Sequence, residues 1–440
     1  MNFKKFEDLL SRFVMPMAEK VNNNKMLSAI SEGFVRTTPI ILGVAVFAII
    51  GNLPIPGWSE WLIANGLKVH FDAALGASTN VIALYVVFSV AYAYAKKHEL
   101  NAITSGFIAL GSFLLLTPQM ITIGEESVAG IALNYIGADG LVVGLITSLL
   151  VSSLYVWFTK KGMIFKMPDS VPPMVSESLG PVFVSISIFA IIFAVRIGFG
   201  FTPYNTAYNF IQTIVTTPLL SIGLSAPAII FFYALGNVFW FFGIHPNVVY
   251  GPINPLLTTM VLANIGAFQT GQELPYLTAA IVTGCVFIGG SANTLGLLAC
   301  MFKSKSKRYR SIFKISIIPN IFNINEPVIF GTPTMLNPIF FVPMIFSCIL
   351  MGIAGWALAS VLPMSGYNPL MALLPWTTPC FILFFLTGGI SGLIILGVCL
   401  IINVIVYYPF FKIADKQACQ EEMEEQQQEE ISMVHEPIME

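Results

Sequence analysis

An all-α polytopic membrane protein, with about ten transmembrane helices and re-entrant hairpins in its C-terminal half, is the fold class this 440-residue chain predicts. Three observations predict it. Charged residues make up 10% of the chain and hydrophobic ones 56%, whereas a soluble domain needs roughly 25% charged residues to cover its surface. The mean hydropathy is +0.80. Apolar runs recur at about 20 residues, the helix length that crosses a bilayer's hydrocarbon core. Helix is required because a segment surrounded by lipid must pair its own N–H and C=O groups.

The chain opens with Phe3, Phe6, Leu10, Phe13 and Met17 at helical spacing beside Lys4, Lys5 and Arg12. This pattern predicts an amphipathic helix on the membrane surface, within a segment of residues 1–32. Spans follow at about 33–52, 71–95, 102–122, 139–159 and 179–201. Lysine pairs at 96–97 and 160–161 mark one side of the membrane, while the intervening loops at 53–70 and 123–137 carry a single Lys. The excess of Lys and Arg in inside loops then places the N-terminus, both lysine pairs and the run "KSKSKRYR" at 303–310 in the cytoplasm. Beside membrane spans, such a run reads as an inside anchor rather than a nucleic-acid patch.

The second half is less regular. Spans are predicted near 226–243, 276–301, 338–360 and 381–410, separated by stretches rich in Pro, Gly and Asn. Nine of the 27 prolines fall in residues 311–380. Irregular backbone at membrane depth is tolerated only where it is buried in protein or lines a cavity, so 244–256, 315–337 and 361–379 read as re-entrant hairpins or broken helices. Interrupted hydrophobic segments of this kind point to a transport site. Two units follow: a regular bundle at 33–205 and a unit of broken helices at 206–412. Eight of the 23 acids lie in the last twenty residues, and 413–440 reads as a disordered, solvated cytoplasmic tail.

Candidate site residues stand out by their cost. Glu326 is the only charged residue between Ile315 and Phe411, and His245 and Glu273 are the notable ionisable groups between Ile197 and Phe302. Glu273 sits in a polar turn. An ionisable side chain at membrane depth costs at least about 2.5 kcal/mol on insertion scales and usually faces an interior cavity. Around His245, "GNVFWFFGIHPNVVYGPINP" supplies Asn237, Trp240 and Asn247; around Glu326, "NIFNINEPVIFGTP" supplies Asn320, Asn323 and Asn325; "LLPWTTP" adds Trp376. Neutral polar groups with Trp suit a sugar, whose hydroxyls need donors and acceptors and whose apolar ring face stacks on an aromatic. The bland alternatives are a structural histidine at a helix break, interfacial Trp residues, and asparagines that only satisfy hairpin backbone. The six cysteines read as small buried hydrophobes, with no metal-ligand spacing. The chain has no GxxxxGK[ST] phosphate loop, no voltage-sensor Arg array and no potassium-filter motif.

"MPDSVPPMVSESL" at 167–179, "FWFFGIHPN" at 239–247 and "FNINEPVIFGTPTMLNP" at 322–338 resemble the membrane-embedded enzyme IIC of the phosphoenolpyruvate-dependent sugar phosphotransferase system, in its lactose, cellobiose and diacetylchitobiose branch. The resemblance covers the chain to about residue 412. It implies an N-terminal dimerisation bundle, hence a homodimer, and a C-terminal unit enclosing a β-linked disaccharide. It further implies phosphorylation of the sugar's 6-hydroxyl by the phosphocysteine of a separate enzyme IIB, with no cofactor. Glu326 and His245 match the positions that hold that hydroxyl, with Asn237, Trp240, Asn247, Asn325 and Trp376 as further substrate contacts. Pro246 departs from the family pattern, in which Gly often follows the histidine. Rival expectations are a proton-coupled sugar transporter acting through Glu326 and a non-transporting sugar sensor.

Overall fold

The computed structural model describes residues 23–434 apart from 54, 56, 124–125, 166–167, 169–174, 177–178 and 333. The amphipathic segment expected at residues 3–17 lies outside these, as does much of the expected connector at 160–178. The first group of helices is α1 (Lys25–Gly51), α2 (Ile82–Lys96), α3 (Ala102–Leu116), α4 (Gly140–Lys160) and α5 (Val182–Gly200). Their facing sides form a core that includes Ala83, Val87, Phe113, Val143, Tyr155 and Ile188. The basic ends of these helices meet: Lys97 pairs with Glu32 at 3.0 Å, Lys25 donates to the Lys97 carbonyl, and the Lys160 ammonium lies 3.3 Å from His98 Nδ1.

The run read as a span to 122 ends sooner. Pro118 cannot continue a helix and restricts the residue before it, so α3 stops at Leu116. The chain then forms a two-stranded antiparallel hairpin, β1 (Met120–Ile123) with β2 (Glu126–Ala129), in register Met120 to Ala129.

The second group starts with a bent pair, Ala207–Gly223 and α6 (Ala226–Phe241), turned through 69°. It continues with α7 (Asn247–Gln269), α8 (Leu277–Cys285), α9 (Thr294–Met301), α10 (Lys307–Ile321), α11 (Glu326–Gly331), α12 (Pro338–Val361) and α13 (Cys380–Val434). The buried side chains of these helices form further cores, one around Phe241, Leu297, Phe340 and Tyr407, one around Ile229, Met260, Val282 and Cys348. A small cluster of Phe34, Val86, Leu141 and Leu262 ties α1, α2, α4 and α7 together.

Three expectations change here. Among the described residues six helices are long and apolar enough to cross a membrane, or seven with the bent pair, so the expected count of ten is not reached. The shortfall lies in apolar stretches that are broken or short, as at Ala102–Leu116 and Ser291–Met301. The stretch 244–256 is not a separate hairpin: from Asn247 it is the first half of α7, which carries Pro252 and Pro255 inside it. Finally, the acidic tail is not disordered where it is described. Helix α13, bent at Gly389, runs through it to Val434, because its carboxylates have partners. Asp415 accepts hydrogen bonds from the Ser304 hydroxyl and the Lys305 and Ser306 amides. Two turns further on the same face, Glu422 accepts from the Ser306 hydroxyl and the Lys307 and Arg308 amides, and Glu421 pairs with Arg308 at 2.9 Å. These acids cap the N-terminus of α10, where orphan N–H groups and the helix dipole favour negative charge.

Candidate functional site

A cavity of about 740 Å³ opens among α1, α6, α7, α8, the loop before α11 and the segment before α13. Its size falls in the range of small-molecule sites. Two of its walls are set by local breaks in helix. Helix α6 ends at Phe241 and turns through Gly243 at φ 77°, which puts Trp240 on its last turn and His245 in the link to α7. Helix α10 ends at Ile321, Asn323 takes a left-handed φ of 62°, and Glu326 opens α11 with Pro327 behind it.

The turn 289–293, between α8 and α9, is the hub behind this wall. Gly289, Gly290, Ala292 and Asn293 all have positive φ, at 74°, 82°, 68° and 52°. For Ala and Asn this region is strained, and such conformations persist only when their surroundings over-determine them. Those surroundings are side-chain amides. The Gly289 amide donates to Asn323 Oδ1 at 3.0 Å, and its carbonyl accepts from Asn320 Nδ2 at 3.2 Å. The Ser291 carbonyl accepts from Asn325 Nδ2. The Ala292 amide donates to Asn237 Oδ1 at 2.8 Å, its carbonyl accepts from the Tyr407 hydroxyl, and the Asn293 carbonyl accepts from Asn403 Nδ2 at 2.8 Å. A Cβ on Gly290 would meet the Asn323 carbonyl at 2.6 Å, so only glycine lets the two turns touch. Asn323 also donates to the carbonyls of Trp376 and Thr378 at 2.8 and 3.1 Å, fixing the third wall.

Six of the seven residues singled out from sequence line the cavity: Trp240, His245, Asn247, Asn325, Glu326 and Trp376. Asn237 does not. It is buried, and its amide is spent on the Met344 carbonyl at 2.9 Å and the Ala292 amide; its task is to join α6 to α12 and the hub. Asn320 and Asn323 likewise serve the hub. Asn325 reaches the cavity wall, but its Nδ2 is committed to Ser291.

The uncommitted polar atoms mark where a ligand would bond. Glu326 Oε2 and Trp240 Nε1 are buried with no hydrogen-bond partner, and a buried polar group left unpaired costs about 1–3 kcal/mol. The Asn247 backbone N–H donates to His245 Nδ1 at 3.2 Å. A neutral imidazole with Nδ1 accepting carries its proton on Nε2, which leaves an Nε2–H donor. The Trp240 and His245 rings meet edge to face with centroids 5.0 Å apart. Trp376 is 60% exposed with its ring near Phe287, an aromatic face available for stacking. One carboxylate acceptor, imidazole and indole donors and a free aromatic face can hold a hydroxyl-rich ring and take a proton from one of its hydroxyls. Among the described residues no group of three or more His, Cys, Asp or Glu could hold a metal ion.

Sequence reading missed Thr38 and Asn254, which also line the cavity. For Asn254 a signal existed: it lies seven residues after Asn247, on the same face of a helix, but Pro252 and Pro255 hid the helix. Thr38 carries no comparable signal.

The profile of a family described as Phosphotransferase system, EIIC matches residues 31–348. The galactose-specific EIIC component of Lactococcus lactis subsp. cremoris is 41% identical, over 95% of this chain and 97% of that protein. The lactose-specific EIICB component of Staphylococcus haemolyticus is 28% identical, over 92% of this chain and 70% of that protein. Among solved structures, the transporter ChbC, the IIC component of the N,N'-diacetylchitobiose-specific phosphotransferase system, superposes with a TM-score of 0.87 at 32% identity, over 94% of this chain and 99% of that one.

Proposed function

This chain belongs to the EIIC family of the phosphotransferase system, and from that membership we propose that it binds a β-linked disaccharide, carries it inward across the cytoplasmic membrane of a bacterium, and presents its 6-hydroxyl to a phosphocysteine on enzyme IIB. The observation that carries the reading is the cavity lined by Glu326, whose Oε2 is buried without a hydrogen-bond partner, together with His245, Trp240 and Trp376.

The geometry supports the following roles. Glu326 accepts the hydrogen bond of the 6-hydroxyl and takes its proton as phosphate arrives. His245 donates from Nε2 to the same oxygen or to the phosphoryl group, whose transfer relies on positioning and electrostatic stabilisation. Trp240 and Trp376 hold the ring, and Asn247 adds a neutral polar contact. Asn325 acts from behind, by locking the loop that carries Glu326 to the hub.

In this reading residues 206–412 move the sugar as a unit against a bundle of residues 33–205, which is also where two copies associate. The separate hydrophobic cores of the two helix groups support that division. Both chain ends face the cytoplasm; the gathering of Lys25, Lys97 and Lys160 at one end of the bundle supports one inside face. The name of the Staphylococcus haemolyticus relative, an EIICB component, supports a B protein as the partner.

Glu326→Gln tests the assignment. It keeps the shape of the side chain and removes the base, so sugar-phosphate formation with phosphorylated enzyme IIB falls about 10²–10⁴-fold while sugar binding persists in part. Near-normal phosphorylation by this variant contradicts the role.

A further inference from the structure

We infer that Asn254 is a specificity-determining residue that anchors the second, non-phosphorylated ring of the substrate. The inference rests on the sugar-binding reading above and narrows it to two-ring substrates. The cavity's polar side chains divide into two groups. Those bonded within the protein include Asn323 and Asn325, as described, together with Thr283 and Thr387, whose hydroxyls donate to the Ala279 and Leu383 carbonyls at 2.8 Å each. Asn254 is different. It lines the cavity, is half-buried, and makes no side-chain hydrogen bond among the described residues.

Its place in the cavity follows from helix geometry. Asn247 marks the end where the hydroxyl is phosphorylated, because its backbone N–H is bonded to His245 Nδ1. Asn254 stands seven residues along α7, two turns on the same face and about 10 Å further along the axis. That is the scale of two linked sugar rings, and too far for the Asn247 and Asn254 side chains to serve one ring. Between them Tyr250 also borders the cavity, with its ring packed on Gly236 and Tyr233. An amide suits the task, since Oδ1 accepts from one hydroxyl and Nδ2 donates to its neighbour. Thr38, on α1, opens on the same cavity and makes no side-chain hydrogen bond among the described residues, so the first helix adds a hydroxyl to this wall.

Calorimetric binding to the purified full-length chain tests the inference, with cellobiose and lactose compared against glucose and galactose. The unsubstituted chain prefers the disaccharides, and Asn254→Ala cuts the ratio of disaccharide to monosaccharide affinity about tenfold, the loss of one good hydrogen bond. Asn254→Gln, read alongside, restores part of the ratio, and thermal melting confirms that each variant is folded. If the Ala variant does not fold, Asn254→Ser is read in its place with the same expected fall. An unchanged ratio, or an equal loss for both sugar classes, overturns the second-ring role, as does failure of the unsubstituted chain to bind a disaccharide. Because binding is read without enzyme IIB, a failure of phosphorylation alone contradicts the transfer mechanism and leaves this test intact.

Discussion

Asparagine is the residue on which the site turns, and its neighbours in sequence do not reveal its job. Glu326 and His245 are legible because an ionisable group within a long apolar run has few uses. An asparagine in the same run can face a ligand or a backbone carbonyl, and only the fold separates the two. Asn237 was expected on the sugar and instead bonds Met344 and Ala292; Asn254 was passed over and faces the cavity. Asn237→Ala therefore lowers thermal stability, by about 1–3 kcal/mol for each backbone group it orphans, and its melting temperature falls before its sugar affinity does. A second residue-scale test concerns His98. Burial, aided by the charges of Lys25 and Lys160, holds its pKa below the ordinary 6.5, so between the folded and unfolded values the unfolded chain binds the extra proton. Stability is then full above about pH 6.5 and declines as pH falls through that value, levelling once the folded state also protonates. The His98→Gln variant should show a flatter melting temperature between pH 5 and 7; an unchanged slope contradicts the assignment.

At the scale of elements, the breaks in helix were more legible than the helices. Proline density marked the region around α11 and the segment before α13 as irregular, and both line the cavity. It misled at 244–256, where Pro252 and Pro255 sit within α7, since a membrane helix tolerates proline when its surroundings re-satisfy the freed backbone groups. Composition misled again at the tail. A run of glutamates reads as disorder, but Asp415 and Glu422 are seven residues apart on one helical face and cap the start of α10. The spacing was in the sequence; the partner 110 residues earlier was not. Helix α10 runs from this cap to Asn320 at the hub, with Asn323 just past its end, so the tail braces the element that delivers Glu326. Glu422→Gln loses the charge from this cap, about 1 kcal/mol by analogy with other caps. Amide exchange should speed about fivefold at 305–309 and in the helix after Asp415, and exchange confined to one of the two segments would argue against a shared brace.

For the whole molecule, composition alone set the class: so few charges cannot cover a soluble surface. Which way the chain faces, how many spans are complete and how copies associate depend on packing and on lipid, and sequence speaks to these only through the distribution of lysines and prolines. The cavity unites the scales. Its walls come from α1 of the first helix group and from α6, α7, α8, the loop before α11 and the segment leading into α13 of the second, so relative displacement of the two groups would open or seal it without rebuilding the hub. Membrane vesicles test the central claim most directly, with the chemical form of the internal sugar as the readout. If the account holds, a disaccharide enters only with enzyme IIB and a phosphoenolpyruvate-driven phosphoryl supply inside, and is recovered as its 6-phosphate. Accumulation of unmodified sugar driven by a proton gradient, without enzyme IIB, would contradict it.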